Sequence, residues 1–155
     1  MTDPTMLAIT EAVQAQDRER LLALWSTTGP GGDPLHRCTL AHYLADLCEH
    51  PAEALTWDVR ALDAADTLTD ERAQAHHAGL RVSGFYPSLH LNLADNYHKL
   101  GALDAARRHL AEARARLDVL PDDAYGATIR GAVERLTRDV GFSDAAAGSQ
   151  AVRRD

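Results

Sequence analysis

The sequence predicts an all-α fold of about seven helices, and three observations indicate it. Alanine is abundant while valine and isoleucine are sparse, which favours closely packed helices over strands. Apolar residues recur at three- and four-residue spacing through most of the chain. Proline and glycine divide the chain into segments of helical length. We therefore expect antiparallel helical pairs and no substantial sheet.

The first two helices are predicted from their capping residues. Asp3 followed by Pro4 is typical of a helix start, because aspartate caps free backbone amides and proline fits the first turn. A second short helix is predicted over residues 18–25, with Asp17 as its cap. The glycine- and proline-rich stretch 29–32 ends it.

The next two helices form the first predicted hairpin. Asp33 and Pro34 repeat the start signal, and the third helix extends to about Glu49. His50 and Pro51 allow a tight corner, after which an antiparallel partner follows. We expect its apolar stripe to face the third helix, and this stripe consists of Leu55, Val59 and Leu62 with Ala54, Ala61 and Ala65.

The segment 69–77 has helical character, either as a continuation of the fourth helix or as a separate turn capped by Thr69. Pro87 opens the next helix, which runs to Leu100, and Gly101 is placed to end it in the left-handed conformation. The chain then returns over residues 103–120.

One last helix completes the predicted domain. Asp122 or Asp123 can cap it, and Gly141 ends it. We therefore expect a single helical domain over residues 1–141. Residues 142–155 show no apolar periodicity, which predicts a disordered tail.

Composition narrows the class of protein. The formal net charge of −7 argues against binding to nucleic acid through phosphates, which needs a clustered basic surface. No apolar run reaches the roughly 20 residues that span a bilayer, and the N-terminus lacks the pattern of a signal peptide. If Cys38 and Cys48 share one helix, roughly 15 Å of rise prevents a disulfide. We expect a cytoplasmic protein with reduced thiols.

The helical pair over residues 87–120 carries a recognisable repeat. A leucine followed by alanine, an aromatic residue, a turn glycine, and then alanine, leucine and alanine occur in a fixed order. These residues are Leu93, Ala94, Tyr97, Gly101, Ala106, Leu110 and Ala113. In this order the stretch resembles a tetratricopeptide repeat. The resemblance implies a right-handed array of antiparallel hairpins that ends in a C-terminal capping helix.

The earlier hairpin, residues 33–66, resembles a second and weaker copy of the repeat. Ala54 and Ala61 match the small positions, but Asp58 stands where the family has a large apolar residue. Ala54 and Ala106 are 52 residues apart, longer than the family period of roughly 34. The difference indicates an insertion or an enlarged connection over residues 67–86.

The resemblance also implies a function. In tetratricopeptide proteins the first helix of each hairpin lines a groove that holds a partner's chain, without catalysis and without a cofactor. We therefore expect a protein or peptide partner. By the resemblance, the groove residues would be Ser88, Asn92, Asp95, His98 and Lys99, with Cys38 and His42 as their counterparts on the earlier hairpin.

A small helical bundle that binds a metal ion or a small ligand is the alternative. Cys38, His42 and Asp46 are four residues apart and share one side of a helix, so a cysteine and a histidine could hold a metal with other nearby histidines. The same three residues suit a hydrolase less well, because neighbours on one helix rarely provide attack geometry and an oxyanion hole.

A third hypothesis is a homo-oligomer in which the terminal helix of one copy is the partner of the next. No glycine-rich phosphate loop, zinc-binding His-Glu-x-x-His motif or nucleophile elbow occurs in the sequence. The sequence therefore predicts a binding protein and not an enzyme.

Overall fold

The computed structural model describes residues 2–77 and 79–151, with side chains as far as Gly141. The described residues are all-α and contain no strand. None of their helices combines the length and hydropathy needed to cross a lipid bilayer. The helices are α1 (Pro4–Gln14), α2 (Arg18–Thr28), α3 (Pro34–Asp46), α4 (Pro51–Thr67), α5 (Asp70–His76), α6 (Tyr86–Lys99), α7 (Leu103–Ala115) and α8 (Ala124–Ala151).

The predicted helix starts are confirmed by their caps. Asp3 accepts a hydrogen bond of 3.0 Å from the amide of Met6, and Asp17 accepts one of 3.1 Å from Arg20. Asp33 caps α3 in the same way. These carboxylates satisfy amide groups that a helix leaves unpaired in its first turn.

Several helix ends differ from the sequence prediction. α3 stops at Asp46, so Cys48 lies in the connection to α4, and both cysteines are free thiols. Segment 69–77 contains a separate helix, α5, capped by Thr69. α7 stops at Ala115 and is followed by a tighter 3-10 turn over Leu117–Val119, before Pro121. Gly101 has φ of +77°, as predicted for the residue after α6.

Helices that follow one another in the chain pack as pairs. α3 packs on α4, α6 packs on α7, and α4 also packs on α6, so the two pairs share one interface. α1 and α2 cover α3 at one end, and α8 covers α6 and α7 at the other. The core divides accordingly into a large apolar cluster around α1–α4 and a smaller one around α6–α8.

The predicted inner face of α4 is confirmed for its alanines and wrong for Val59. Val59 is 47% exposed, and Leu55 and Leu62 are only partly buried. The predicted Ala54, Ala61 and Ala65 are buried, and Trp57, Asp58 and Ala64 complete the buried stripe. Small side chains let the backbones of α4 and its neighbours approach closely, so the helix turns its alanine face inward.

The last helix continues past Gly141, where the sequence analysis ended it, to Ala151. The side chains of 142–151 and the whole of 152–155 lie outside the described part of the chain. The disordered tail expected for 142–155 therefore stays a prediction.

One arginine ties three helices together at the N-terminal end. Arg72 of α5 donates to Asp33 at 2.6 Å and to Asp3 at 2.9 Å. His36 of α3 also contacts Asp3, at 2.8 Å. Burial acts to raise the pKa of Asp3, but hydrogen bonds with His36, the Met6 amide and Arg72 outweigh it and lower the pKa to about 2. The network fixes α5 against α1 and α3.

Both tryptophans lie on the α2–α4 side of the molecule. Trp25 and Trp57 meet edge to face, with ring centroids 5.1 Å apart. The guanidinium of Arg37 lies 4.2 Å from the centre of Trp25, and that of Arg60 lies 4.5 Å from the centre of Trp57. This arrangement covers the tryptophan faces with cations.

Candidate functional site

Residues of α3 and α6 line the same two cavities, and we call the space between these two helices the trough. Residues 38–43 of α3 share a cavity with residues 85–89, and residues 45–48 share a second cavity with residues 92–99. The numbering rises in the same order on both walls, so the two helices run in the same direction. The two cavities, each of about 200 Å³, therefore follow one another along the trough.

The two cavities differ in lining. The first, which we call the aromatic cavity, is lined by Cys38, His42, Tyr43, Phe85, Ser88 and Tyr125, among others. The second, which we call the acidic cavity, is lined by Asp46, Asp58, Asn92, Asp95, Asn96 and Lys99, among others.

Most of the sequence-predicted groove residues line these two cavities. Cys38, His42 and Ser88 line the aromatic cavity. The acidic cavity is lined by Asn92, Asp95 and Lys99. His98 lines neither cavity, although it belongs to the same helix. The structure thus brings the predicted residues of two helices, some 50 positions apart in the chain, to one trough.

Cys38 lines the aromatic cavity but is not an activated nucleophile. Cys38 is buried, and burial raises the pKa of its thiol to about 12, so the thiol stays protonated at neutral pH. A nucleophilic cysteine needs the opposite shift. This chemistry does not favour Cys38 as the nucleophile of a hydrolase.

His42 is the most unusual polar group in the aromatic cavity. Its Nδ1 atom is buried and has no hydrogen-bond partner in the described part of the chain. Burial lowers the pKa of His42, although the charge of Asp46 opposes the effect. The ring is therefore neutral at pH 7, and it meets Tyr43 edge to face at 5.1 Å. A neutral imidazole can accept or donate one hydrogen bond from Nδ1.

The floor of the acidic cavity is the carboxyl group of Asp58, which projects from α4. The residue is 1% exposed, and its Oδ2 atom accepts a hydrogen bond of 2.6 Å from Asn96. Its Oδ1 atom is buried and has no hydrogen-bond partner among the described residues. A buried carboxyl oxygen without a donor is costly.

The environment of Asp58 disfavours its charge. Burial is the largest effect, and it raises the pKa of Asp58 to about 7. The Asn96 hydrogen bond lowers the pKa, the carboxylates of Asp46 and Asp95 raise it, and the ammonium of Lys99 lowers it. Near neutral pH this carboxyl group therefore exists in both protonation states.

The rim of the acidic cavity is more exposed. Lys99 and Asp95 form an ion pair of 2.9 Å on one turn of α6, and their side chains are 55% and 45% exposed. Asn92 lies one turn earlier and is partly buried. The rim therefore offers hydrogen-bonding groups to solvent and to a ligand.

The buried floor of the acidic cavity is a site that the sequence analysis does not predict. The available signal for Asp58 is its charge at a position where the repeat has an apolar residue. Nothing in the sequence marks Asn96, which lies 38 residues away and donates the hydrogen bond to the carboxyl group. The floor is therefore visible only in the assembled fold.

The other histidines do not converge on His42. His90 and His109 face each other between α6 and α7, with Nδ1 atoms 3.1 Å apart, and Tyr97 stacks on His109 at 5.5 Å. Tyr86 stacks on His90 at 6.0 Å. Over residues 2–77 and 79–141, no three His, Cys, Asp or Glu side chains are grouped to hold a metal ion.

Comparisons with known proteins give no relative from which function could be transferred. No family model, curated protein or solved structure matches the chain. The trough itself is therefore the basis for a functional proposal.

Proposed function

We propose that the chain is a tetratricopeptide-like interaction module whose α3–α6 trough binds an extended segment of a partner protein. The observation that carries the proposal is the alignment of the two cavities between α3 and α6. In a tetratricopeptide arrangement these would be the first helices of two successive hairpins. The pairing of α3 with α4 and of α6 with α7 supports that arrangement.

The dimensions of the trough suit a short peptide. The cavity centres are separated by about two helical turns, or roughly 10 Å. An extended chain covers that distance with about three residues. One side chain would occupy the aromatic cavity, and a second, about three positions along, would occupy the acidic cavity.

The polar groups of the trough support binding of a peptide backbone. Asn92 can donate and accept at once, as a backbone amide pair requires. Nδ1 of His42 has an unused hydrogen-bonding position in the described part of the chain. A partner that supplied the missing bond would remove the penalty of a buried, unpaired nitrogen. The two free cysteines support the further proposal that this binding takes place in the cytoplasm.

Selection of a random-sequence peptide library against the full chain tests the proposal. Enriched peptides are synthesised with a fluorophore, and their Kd is measured by fluorescence anisotropy. Asn92→Ala is expected to raise the Kd about fivefold or more, because a net hydrogen bond contributes about 1 kcal/mol. Lys99→Ala is expected to have a smaller effect in the same direction.

His98→Ala is the matched control, since His98 shares α6 with both residues but lines neither cavity. Circular dichroism shows whether each variant keeps its helices. Equal Kd values for Asn92→Ala, Lys99→Ala and His98→Ala would overturn the proposed trough, and so would a library that yields no binding peptide.

A further inference from the structure

The acidic cavity has an unbalanced charge. Asp46, Asp58 and Asp95 line it, and Lys99 is the one lysine or arginine that the structure places in its lining among the described residues. Lys99 is already paired with Asp95 at 2.9 Å. When all three carboxyl groups are ionised, the lining keeps a net negative charge.

The buried carboxyl oxygen of Asp58 points to a missing donor. Asn96 uses its amide on Oδ2, and Oδ1 has no partner in the described part of the protein. Buried polar atoms are almost always hydrogen-bonded in stable structures, so the unpaired oxygen calls for a donor that the described residues do not supply. A donor that also carries positive charge would neutralise the cavity.

We infer that the acidic cavity binds a cationic side chain, an arginine or a lysine, of the partner segment that the proposed function places in the trough. A guanidinium group matches the geometry, because its five N–H donors can reach more than one carboxylate. A cavity of about 200 Å³ is large enough to admit such a group. The inference rests on the proposed function for the identity of the ligand as a peptide.

The overall charge supports a basic partner. The chain has a formal net charge of −7, which attracts a positively charged segment and repels an acidic one. A metal ion is a poorer match, since the described residues contain no group of three possible ligands with suitable geometry. The aromatic cavity would take an apolar or aromatic residue about three positions from the basic one.

Binding of a cation is coupled to ionisation of Asp58. The groups around it are Asp46 at the end of α3, Cys48 in the following connection, and Asp95 and Lys99 on α6. Because the pKa of Asp58 is raised to about 7, a cation binds best after the proton has left. The affinity should therefore increase about tenfold or more between pH 5.5 and pH 8.

The first test uses a probe smaller than a peptide. Nα-acetyl-arginine amide is titrated into the full chain and followed by the backbone amide signals in NMR, at millimolar concentrations suited to weak binding. The neutral isostere Nα-acetyl-citrulline amide is the ligand control. We expect the signals of Asp58, Asn92 and Asn96 to shift with the arginine probe and to stay in place with the citrulline probe.

Variants separate the cavity from general charge. Asp58→Asn should abolish the arginine-induced shifts, and Asp46→Asn should weaken binding about threefold while the fold is retained. Asp63→Asn is the matched control, because Asp63 is exposed on the same helix as Asp58 and lines neither cavity. Equal shifts with arginine and citrulline, or unchanged arginine binding by Asp58→Asn, would overturn the inference.

The peptide selection provides the second test. Enriched peptides should contain an arginine or lysine, and replacing it by citrulline or norleucine should raise the Kd about tenfold or more. Peptides that bind the trough without a basic residue would overturn the inference and leave the proposed function in place. Absence of binding peptides would overturn the proposed function, while the arginine titration tests the cavity by itself.

Discussion

Helices α4 and α7 share a pattern of two buried alanines with one larger residue between them, which we call the alanine frame. The residue between the alanines differs in the two helices. In α4 the frame contains Asp58, and in α7 it contains Leu110 at the same spacing. Both residues are buried, with 1% and 5% exposure. The flanking alanines are buried as well, and they are Ala54 and Ala61 in α4 and Ala106 and Ala113 in α7.

The central residue of the frame decides what the interface becomes. Leu110 joins an apolar cluster with Val133 and Leu136 of α8, and the described residues that line the cavity beside it include no carboxyl group. Asp58 contacts Asn96 of α6 and leaves a polar cavity open beside it. Close alanine packing therefore occurs in both pairs, while the central side chain determines whether the space beside it is lined by a buried carboxyl group.

Exchanging the central residue should have the largest effect on stability. Leu110→Asp places a carboxyl group in the apolar cluster between α7 and α8, beside Val133 and Leu136. The free energy of unfolding should fall by about 4 kcal/mol or more, measured by urea denaturation. Ala111→Asp, exposed on the same helix, should cost less than about 1 kcal/mol. If Leu110→Asp also cost less than about 1 kcal/mol, position 110 would tolerate a charge and the expectation would be wrong.

Removing the charge of Asp58 should stabilise the protein at high pH. A carboxyl group whose pKa is raised by folding contributes its full stability below the pKa of the unfolded chain. For Asp58 the unfolded pKa is 3.8 and the folded pKa is about 7, so its contribution is lost as the pH rises between these values. The amide introduced by Asp58→Asn does not titrate. This variant should therefore gain about 2 to 4 kcal/mol at pH 8 and little near pH 4.

Urea denaturation at both pH values measures this gain, with Asp63→Asn as the exposed control on the same helix. The control should change stability by less than about 0.5 kcal/mol at either pH. A loss of stability in Asp58→Asn at pH 8 would contradict the assignment of Asp58 as a desolvated group.

The histidine pair at the α6–α7 interface should change the free energy of unfolding with pH in the direction opposite to Asp58. Burial, the neighbouring His109 and Arg116 lower the pKa of His90, and burial and Arg108 lower that of His109. Depressed pKa values mean that the folded state binds protons less readily than the unfolded state. The two histidines therefore contribute their full stability above the unfolded pKa of 6.5, and this contribution is lost as the pH falls below that value.

His109→Phe tests the histidine pair, because phenylalanine keeps a ring between His90 and Tyr97 but cannot be protonated. Two proteins are compared by thermal denaturation, Asp58→Asn alone and Asp58→Asn combined with His109→Phe. The free energy of unfolding should fall less between about pH 7 and pH 5 in the protein that also carries His109→Phe. His98→Gln is the control, since His98 lies on α6 outside the histidine pair. An unchanged slope in His109→Phe would exclude the pair as its origin.

The smallest effect is expected at the rim of the acidic cavity. Lys99 and Asp95 are about half exposed, so Lys99→Ala should reduce the free energy of unfolding by no more than about 0.5 kcal/mol. The loss should diminish further in high salt. A loss of several kcal/mol in urea denaturation would mean that the ion pair is part of the packed interface instead.

Much of the fold could be predicted because its signals are local. Aspartate–proline starts, the glycine after α6 and the alanine frames each depend on a few adjacent residues. The inner face of α4 could be predicted only in part. Helical spacing placed Ala54, Ala61 and Ala65 correctly, but Val59 is 47% exposed, because the close approach of neighbouring helices favours the alanine side.

The site was predictable only in outline. The resemblance to a tetratricopeptide repeat predicted that Ser88, Asn92 and Lys99 share one side of a groove. In the structure these residues line the two cavities of the trough, and Cys38 and His42 also line the aromatic cavity. The burial of Asp58 depends on helices that the sequence does not place relative to one another. Desolvation and a partner 38 residues away decide its protonation, and neither leaves a local pattern.

The paired tryptophans have a practical consequence for following the folding of this protein. The sequence contains two tryptophans, and both belong to the α2–α4 region. Their emission therefore senses only that half, whereas Tyr86, Tyr97 and Tyr125 of the four tyrosines belong to α6 and α8. Should the two halves unfold in separate steps, tryptophan fluorescence and near-ultraviolet tyrosine signals would give different midpoints and would show which half opens first.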